Sequence, residues 1–125
     1  MADLSFADLR DTDLCNSDLR GINLSRATLT GAKLTGSRLG PVEMAGSTVS
    51  HWTANLESAR LGRCNFMGAD MRGAKLTRAD LTNANLRGAD LRKAVLQDAI
   101  LTNADLRGAK IDGADMRGAV DYNPE

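Results

Sequence analysis

Residues 69–93 read ADMRG, AKLTR, ADLTN, ANLRG, ADLRK when cut every five. A small residue comes first, then a polar one, then a large apolar centre, then two polar or glycine positions. A period of five suits neither regular element. On an α-helix five residues advance about 500°, so the apolar positions spiral around the cylinder. On a straight strand an odd period sends successive leucines to opposite faces. Within one unit, however, Ala and Leu are two apart, so an extended triplet points both to one side. A quarter turn through the remaining two residues points the next pair inward as well. Four such sides close a square coil of 20 residues. Stacked coils then bond to each other at the strand spacing of about 4.8 Å, giving an all-β solenoid with a parallel, four-sided β-helix architecture.

The glycines test this reading independently. The turn places its third residue two positions after the centre, where a type II turn needs φ > 0 and favours Gly or Asn. Ten of the twelve glycines fall there, together with Asn16, Asn83 and Asn103. Arg, Asp, Lys or Ser at other corners suggests that a second, non-type-II turn is also used.

Working outward, the centres run from Leu4 every five residues to Leu39, then Met44 and Val49. Gly40–Pro41 is a corner or a distortion, because proline cannot donate to a ladder. From Val49 to Leu56 is seven residues, so the phase slips by two within Ser50–Asn55, read as a bulge at a corner. Centres then continue from Leu56 to Met116, and every small position in this half is Ala except Cys64. The expectation is one domain, 1–125, with repeats over about 2–49 and 54–119 and a short tail, 120–125. Twenty-three centres make about six coils, a rod of about 25–30 Å.

Composition agrees. Aromatics are 3%, too few for an ordinary core but enough for one filled by Leu and Ala. The net charge is zero, which argues against general polyanion binding, and direct nucleic-acid binding is not expected. Cys15 is expected outside and Cys64 inside on different coils, so no disulfide forms, and a reducing, cytoplasmic setting is expected. The N-terminus lacks an apolar signal-peptide core, and no apolar run reaches the length of a membrane span.

The A-(D/N)-L-x-x unit, repeated over residues 2 to about 119, resembles the pentapeptide-repeat family. The resemblance implies a right-handed quadrilateral β-helix. It implies less about role: members include DNA-mimicking proteins that bind type II topoisomerases, and many others without an established activity.

Outward residues are the candidates for function. With a 22-residue step across the slip, one face is expected to carry Leu9, Leu29, Val49, Met71, Leu91 and Ile111. Arg72 and Arg92 then neighbour Asp70 and Asp90, as a solvated salt-bridge ladder rather than an anion-binding strip. The first coil carries Asp3, Asp8, Asp13 and Asp18, one per side, so they cannot converge on a metal. Val95, Ile100 and Val120 occupy outward sites that are usually polar, with Tyr122 close. The patch is expected to be covered in part by the C-terminal tail and Trp52 to fold over the bulge; the alternative is that Val95, Ile100, Val120 and Tyr122, with His51 and Trp52, are partner contacts. No nucleophile–base pair emerges, so no catalytic residue, cofactor or enzymatic activity is expected. The leading reading is a structural or protein-interaction module that presents flat faces, with an unidentified protein partner. Self-association through the solenoid ends or the Val95/Ile100/Val120 patch is also expected. The second reading is a DNA-mimicking binder of type II topoisomerase.

Overall fold

In the computed structural model, which describes residues 2–42 and 53–122, the Ala-x-Leu triplets form the sides of a four-sided β-helix. The polar residue before each centre makes a parallel bridge to its counterpart one coil away. Four columns result. Face 1 stacks Asp3, Asn23, Asn55, Lys75, Val95 and Asp115; face 2 stacks Asp8, Thr28, Arg60, Asp80, Ile100 and Val120. Face 3 stacks Asp13, Lys33, Asn65, Asn85 and Asp105; face 4 stacks Asp18, Arg38, Asp70, Asp90 and Lys110. We number rungs along each face from its N-terminal member.

The backbone bonds are repetitive. The centre donates its N–H to the next coil, as from Leu56 to the Lys75 carbonyl at 2.7 Å. The bridge residue donates to the coil before, as from Lys75 to the Ala54 carbonyl at 3.1 Å. At each corner the following small residue donates back to the centre, as from Ala59 to Leu56 at 3.1 Å. This bond closes a four-residue turn whose third residue has φ > 0, whether it is Gly73 (φ 67°), Asn83 (φ 62°) or Arg78 (φ 59°). The second turn type expected at Arg, Asp, Lys or Ser corners is therefore not used: Asp11, Arg26, Ser58 and Lys93 are all left-handed. Such a residue costs about 1–2 kcal/mol relative to a right-handed one. The stacked coils impose the same geometry at the described corners other than the one after Leu39, where Pro41 stands, and the ladder offsets the strain.

Inside, the centres and small residues form one continuous core. Leu56, Leu61, Leu76, Leu81, Leu86 and Leu91 are fully buried, with Ala54, Ala59, Ala74, Ala79 and Ala89 between them. One coil exchanges volume: Cys64 takes the small position and Phe66 the centre, both buried. The Cys64 thiol donates to the Leu29 carbonyl at 2.9 Å, and burial pushes its pKa up to about 12. Ser37 is buried at a small position, and its hydroxyl has no partner among the described residues. Toward each end the core thins, with Leu4 exposed and Leu106, Ile111 and Met116 half-buried.

The interruption differs from the sequence expectation. On all four faces one step is 32 residues where the others are 20: Asn23 pairs with Asn55, Thr28 with Arg60, Lys33 with Asn65 and Arg38 with Asp70. The Ala54 N–H reaches the Leu39 carbonyl at 3.1 Å and closes the turn that residue 42 would otherwise close. The ladder thus passes from Leu39 and its corner directly to Ala54, rather than slipping by two residues within 50–55. The expected face through Leu9, Leu29, Val49, Met71, Leu91 and Ile111 is corrected accordingly. Leu9 and Leu29 share face 2 with Leu61, Leu81 and Leu101, whereas Met71 and Leu91 share face 4 with Leu19 and Leu39. Met44 and Val49 lie outside the described residues.

Gly40 is buried under this junction. A Cβ there would lie 2.7 Å from Asp70 Oδ1, so the side chain of the next rung takes the space.

The 32-residue step is twelve residues longer than the ordinary one. Deleting residues 42–53, with Pro41→Gly to supply the left-handed corner, should restore an uninterrupted five-residue period from Leu39 to Leu56. We expect a cooperative thermal unfolding transition by circular dichroism with a midpoint within about 5 °C of the parent, the shift that about 1 kcal/mol produces in a domain of this size. Loss of cooperativity would mean that the coils on either side do not stack in this register.

Candidate functional site

The outward side chains are arranged by one local device. In the backbone pattern above, the N–H of the residue after each centre has no backbone acceptor. The Asp or Asn before the centre supplies one: Asn85 Oδ1 accepts from the Arg87 N–H at 3.1 Å, and Asp80 Oδ1 from Thr82 at 3.0 Å. The bond recurs at Asp3, Asp13, Asn23, Asn55 and Asn65. The recurrent D/N is thus a structural acceptor, a small version of an Asx turn. Val95, Ile100 and Val120 forgo it.

Where Arg follows the centre, the same carboxylate also grips its guanidinium. Arg107 Nε donates to Asp105 Oδ1 at 2.9 Å and its terminal nitrogen to Oδ2 at 2.7 Å. Asp8–Arg10, Asp18–Arg20, Asp70–Arg72, Asp90–Arg92 and Asp115–Arg117 repeat this two-point pairing. Weaker contacts join successive rungs, Arg72 to Asp90 and Arg87 to Asp105, each at 4.0 Å. Arg72 and Arg92 therefore belong to a salt-bridge ladder on face 4. The Arg20 and Arg107 guanidinium groups hold the Asp18 and Asp105 carboxyls at about 2, and the backbone N–H of each arginine adds to the effect.

The candidate contact residues separate. Ile100 and Val120 occupy consecutive rungs of face 2, both exposed, at 37% and 47%. Val95 is half-buried on face 1, between Lys75 and Asp115. Tyr122 is half-buried and packs against the core at the C-terminal end of the ladder. His51 and Trp52 lie outside the described residues. Both cysteines are free, Cys15 half-buried and Cys64 buried. Among the described residues, no three His, Cys, Asp or Glu side chains are placed to hold a metal, and no helix is long and apolar enough to cross a membrane.

One feature escaped the sequence reading. Phe6 stands at a left-handed corner (φ 62°) and is 69% exposed. The Arg26 guanidinium of the next rung lies over its ring, 5.6 Å from the centroid. The two border a shallow cleft of about 220 Å³, lined also by Ser5, Ser25, Asn55, Glu57, Ser58 and Arg78. The available signal was a bulky aromatic at a position where glycine or asparagine is expected.

A four-sided β-helix of five-residue units, with small and large apolar residues alternating inward and Asp or Asn bonding many of the corners, defines a class of repeat protein. The family model for pentapeptide repeats matches residues 2–40, 54–88 and 84–120 with eight copies, so the chain belongs to the pentapeptide-repeat family. The family fold is a right-handed quadrilateral β-helix. The break in the match between 40 and 54 coincides with the 32-residue step.

Among solved structures, the chain is similar to HetL from the cyanobacterium Nostoc sp. strain PCC 7120, a pentapeptide repeat protein involved in heterocyst differentiation regulation. The two are 37% identical with a TM-score of 0.65; the match covers 94% of this chain and 48% of HetL. The chain thus spans about half the length of HetL. It is also similar to a second pentapeptide repeat protein from Nostoc PCC 7120, with 29% identity, a TM-score of 0.58, and coverage of 97% of this chain and 77% of that one. A third, from the thylakoid lumen of Arabidopsis thaliana, has 26% identity, a TM-score of 0.53, and coverage of 93% and 72%. No curated protein matches the chain.

Two outcomes follow. Asn85→Ala removes the acceptor for the Arg87 N–H and should lower stability by about 0.5–1.5 kcal/mol, whereas Asn85→Asp should retain most of it. Urea melts of the three proteins decide this, and equal midpoints would remove the acceptor role. Because Asp18 and Asp105 have folded pKa values depressed to about 2, their contribution is present above the unfolded value near 3.9 and is lost as pH falls through about 2. The urea midpoint should therefore fall between about pH 4 and pH 2, and Arg107→Gln should flatten part of that fall. A midpoint indifferent to acid would contradict the paired-carboxylate account.

Proposed function

We propose that this chain is a non-enzymatic protein-interaction module that presents fixed columns of side chains on flat β faces. One observation carries the reading. The polar groups best suited to chemistry are spent on their own corners: the aspartates hold backbone N–H groups and arginines, as at Asp70–Arg72 and Asp105–Arg107. What remains variable is the outward surface. There the run Ile100–Val120, with Val95 around the corner, breaks the polar rule and forgoes a hydrogen bond at each position. Exposed apolar groups at positions that otherwise carry polar or charged residues are best explained as contact surface. Similarity to HetL, which acts in regulation, supports a binding role over a catalytic one. Free Cys15 and Cys64 support a reducing compartment such as the cytoplasm.

The second reading, a topoisomerase-binding DNA mimic, rests on the acidic first coil. There Asp8 and Asp18 are each engaged by Arg10 and Arg20, which weakens the resemblance to a phosphate backbone.

The test is a pull-down from the source cells with the wild-type chain and with Ile100→Lys/Val120→Lys as baits. Both positions are outward, so the variant should keep its melting temperature. A partner retained by the wild type and lost by the variant is expected, together with no inhibition of gyrase supercoiling at micromolar protein. Enrichment of nothing over a resin control would defeat the interaction reading, and gyrase inhibition would replace it with the mimic.

A further inference from the structure

The charges of this neutral chain are unevenly matched. Arg10, Arg20, Arg72, Arg92, Arg107 and Arg117 are held by their own aspartates, and Arg87 contacts Asp105 of the next rung at 4.0 Å. Lys33, Arg38 and Lys110 have no such pair, but each lies close enough to an aspartate to favour its charged form: Asp13, Asp18 and Asp90 respectively. Six cations differ, because none has a carboxylate ion pair among the described residues: Lys93, which stands apart at the corner between faces 4 and 1, and Arg26, Arg60, Arg63, Lys75 and Arg78, the five that lie around the start of face 2.

These five are gathered, not scattered. Arg26 and Arg78 occupy the corner column between faces 1 and 2, on the second and fourth rungs, with Ser58 between them. Lys75 is on face 1 of the same coil as Arg78, and Arg60 opens face 2 on the rung between them. Arg63 follows at the far end of that triplet. The nearby carboxylates are Glu57, in the cleft wall, Asp80, whose Oδ1 already accepts from the N–H and hydroxyl of Thr82, and Asp98, which ends the basic run one rung beyond Arg78 in the same corner column. Beside this basic corner lies the cleft with its serine hydroxyls and the exposed Phe6 ring.

We propose that this corner, over the second to fourth rungs, is the docking surface for an acidic, extended segment of a partner protein. The inference rests on the interaction-module reading and names the chemistry of one partner. Charge complementarity selects the occupant. Two rungs separate Arg26 from Arg78, about 10 Å at the ladder spacing. In an extended chain, residues three apart are separated by about 9–10 Å, so two acidic side chains can meet the two guanidiniums. The Phe6 ring offers an apolar surface to a neighbouring side chain. A nucleic acid fits less well. It would find one aromatic ring rather than a stacking series.

The probe is a fluorescent ten-residue peptide of Asp, Glu and Gly, measured by anisotropy against the full chain at 50 mM salt. Micromolar binding is expected. Arg26→Glu/Arg78→Glu should weaken it at least about tenfold, as should raising the salt to 300 mM. Arg107→Glu/Arg117→Glu makes the same change in net charge elsewhere and should leave it within about twofold. Arg26→Gln/Arg78→Gln guards against misfolding of the first variant and should also weaken binding, with an unchanged melting temperature. Failure of the wild type to bind at 100 µM peptide overturns the proposal. So does equal loss in both glutamate variants, or tighter binding of a dT10 oligonucleotide that the same arginines control. The pull-down separates the two levels: a partner captured through Ile100 and Val120, with no peptide binding, removes this surface and keeps the module.

Discussion

Along the faces of this solenoid, every backbone hydrogen bond joins one coil to the next. No coil can satisfy its own backbone, so each is stable only as a layer between two others. This constraint explains the monotony of the sequence. The centre and the small residue must point inward at every side, and the chain must turn left-handed at every corner, because one misplaced corner would misalign a coil on both its neighbours. It also explains why Phe6, Asp11 and Arg26 accept a conformation that glycine adopts freely. The conformational penalty at one residue is small beside the ladder bonds that depend on the corner.

The same constraint fixes what the outer surface can vary. Of the five positions in a unit, two face the core. The position after the centre has an N–H that the ladder leaves unused, and the Asp or Asn two residues earlier accepts it. A position that looks like solvated surface is therefore half structural. Its loss at Val95, Ile100 and Val120 is a departure with an energetic consequence, and the pairing of so many arginines leaves those around Arg26 and Arg78 conspicuous.

The fold was legible because its signal is arithmetic: small and large residues two apart, repeated every five, with glycine at the corners. The junction was not, because residues 42–49 imitate the period. Val42-x-Met44 and Ser47-x-Val49 have the spacing of units, so a count of centres leads to a 22-residue step where the ladder takes 32. Pro41, which cannot adopt the left-handed corner, and Val42, large for a small site, were the physical signs that the ladder leaves the chain there. The uniform corner was also missed. Residue preferences for φ > 0 describe isolated turns, whereas here the stack dictates the turn and the residue complies. Of the surface, the vertical pairing of Ile100 with Val120 followed from counting by twenty. The Phe6–Arg26 contact and its cleft required knowing that corner residues on successive rungs lie against one another.

The two-residue reach of Asp115 to Arg117, or Asp105 to Arg107, carries a further implication. Positive and negative charge are balanced inside a single unit, and the corner N–H is capped inside the same unit. Each such pentapeptide is close to self-sufficient in everything except its stacking partners. A gene encoding such units can therefore gain or lose coils in steps of four units without leaving orphan charges where each unit carries its own pair. Length is the property that this architecture can change most cheaply, and the surface columns lengthen or shorten with it.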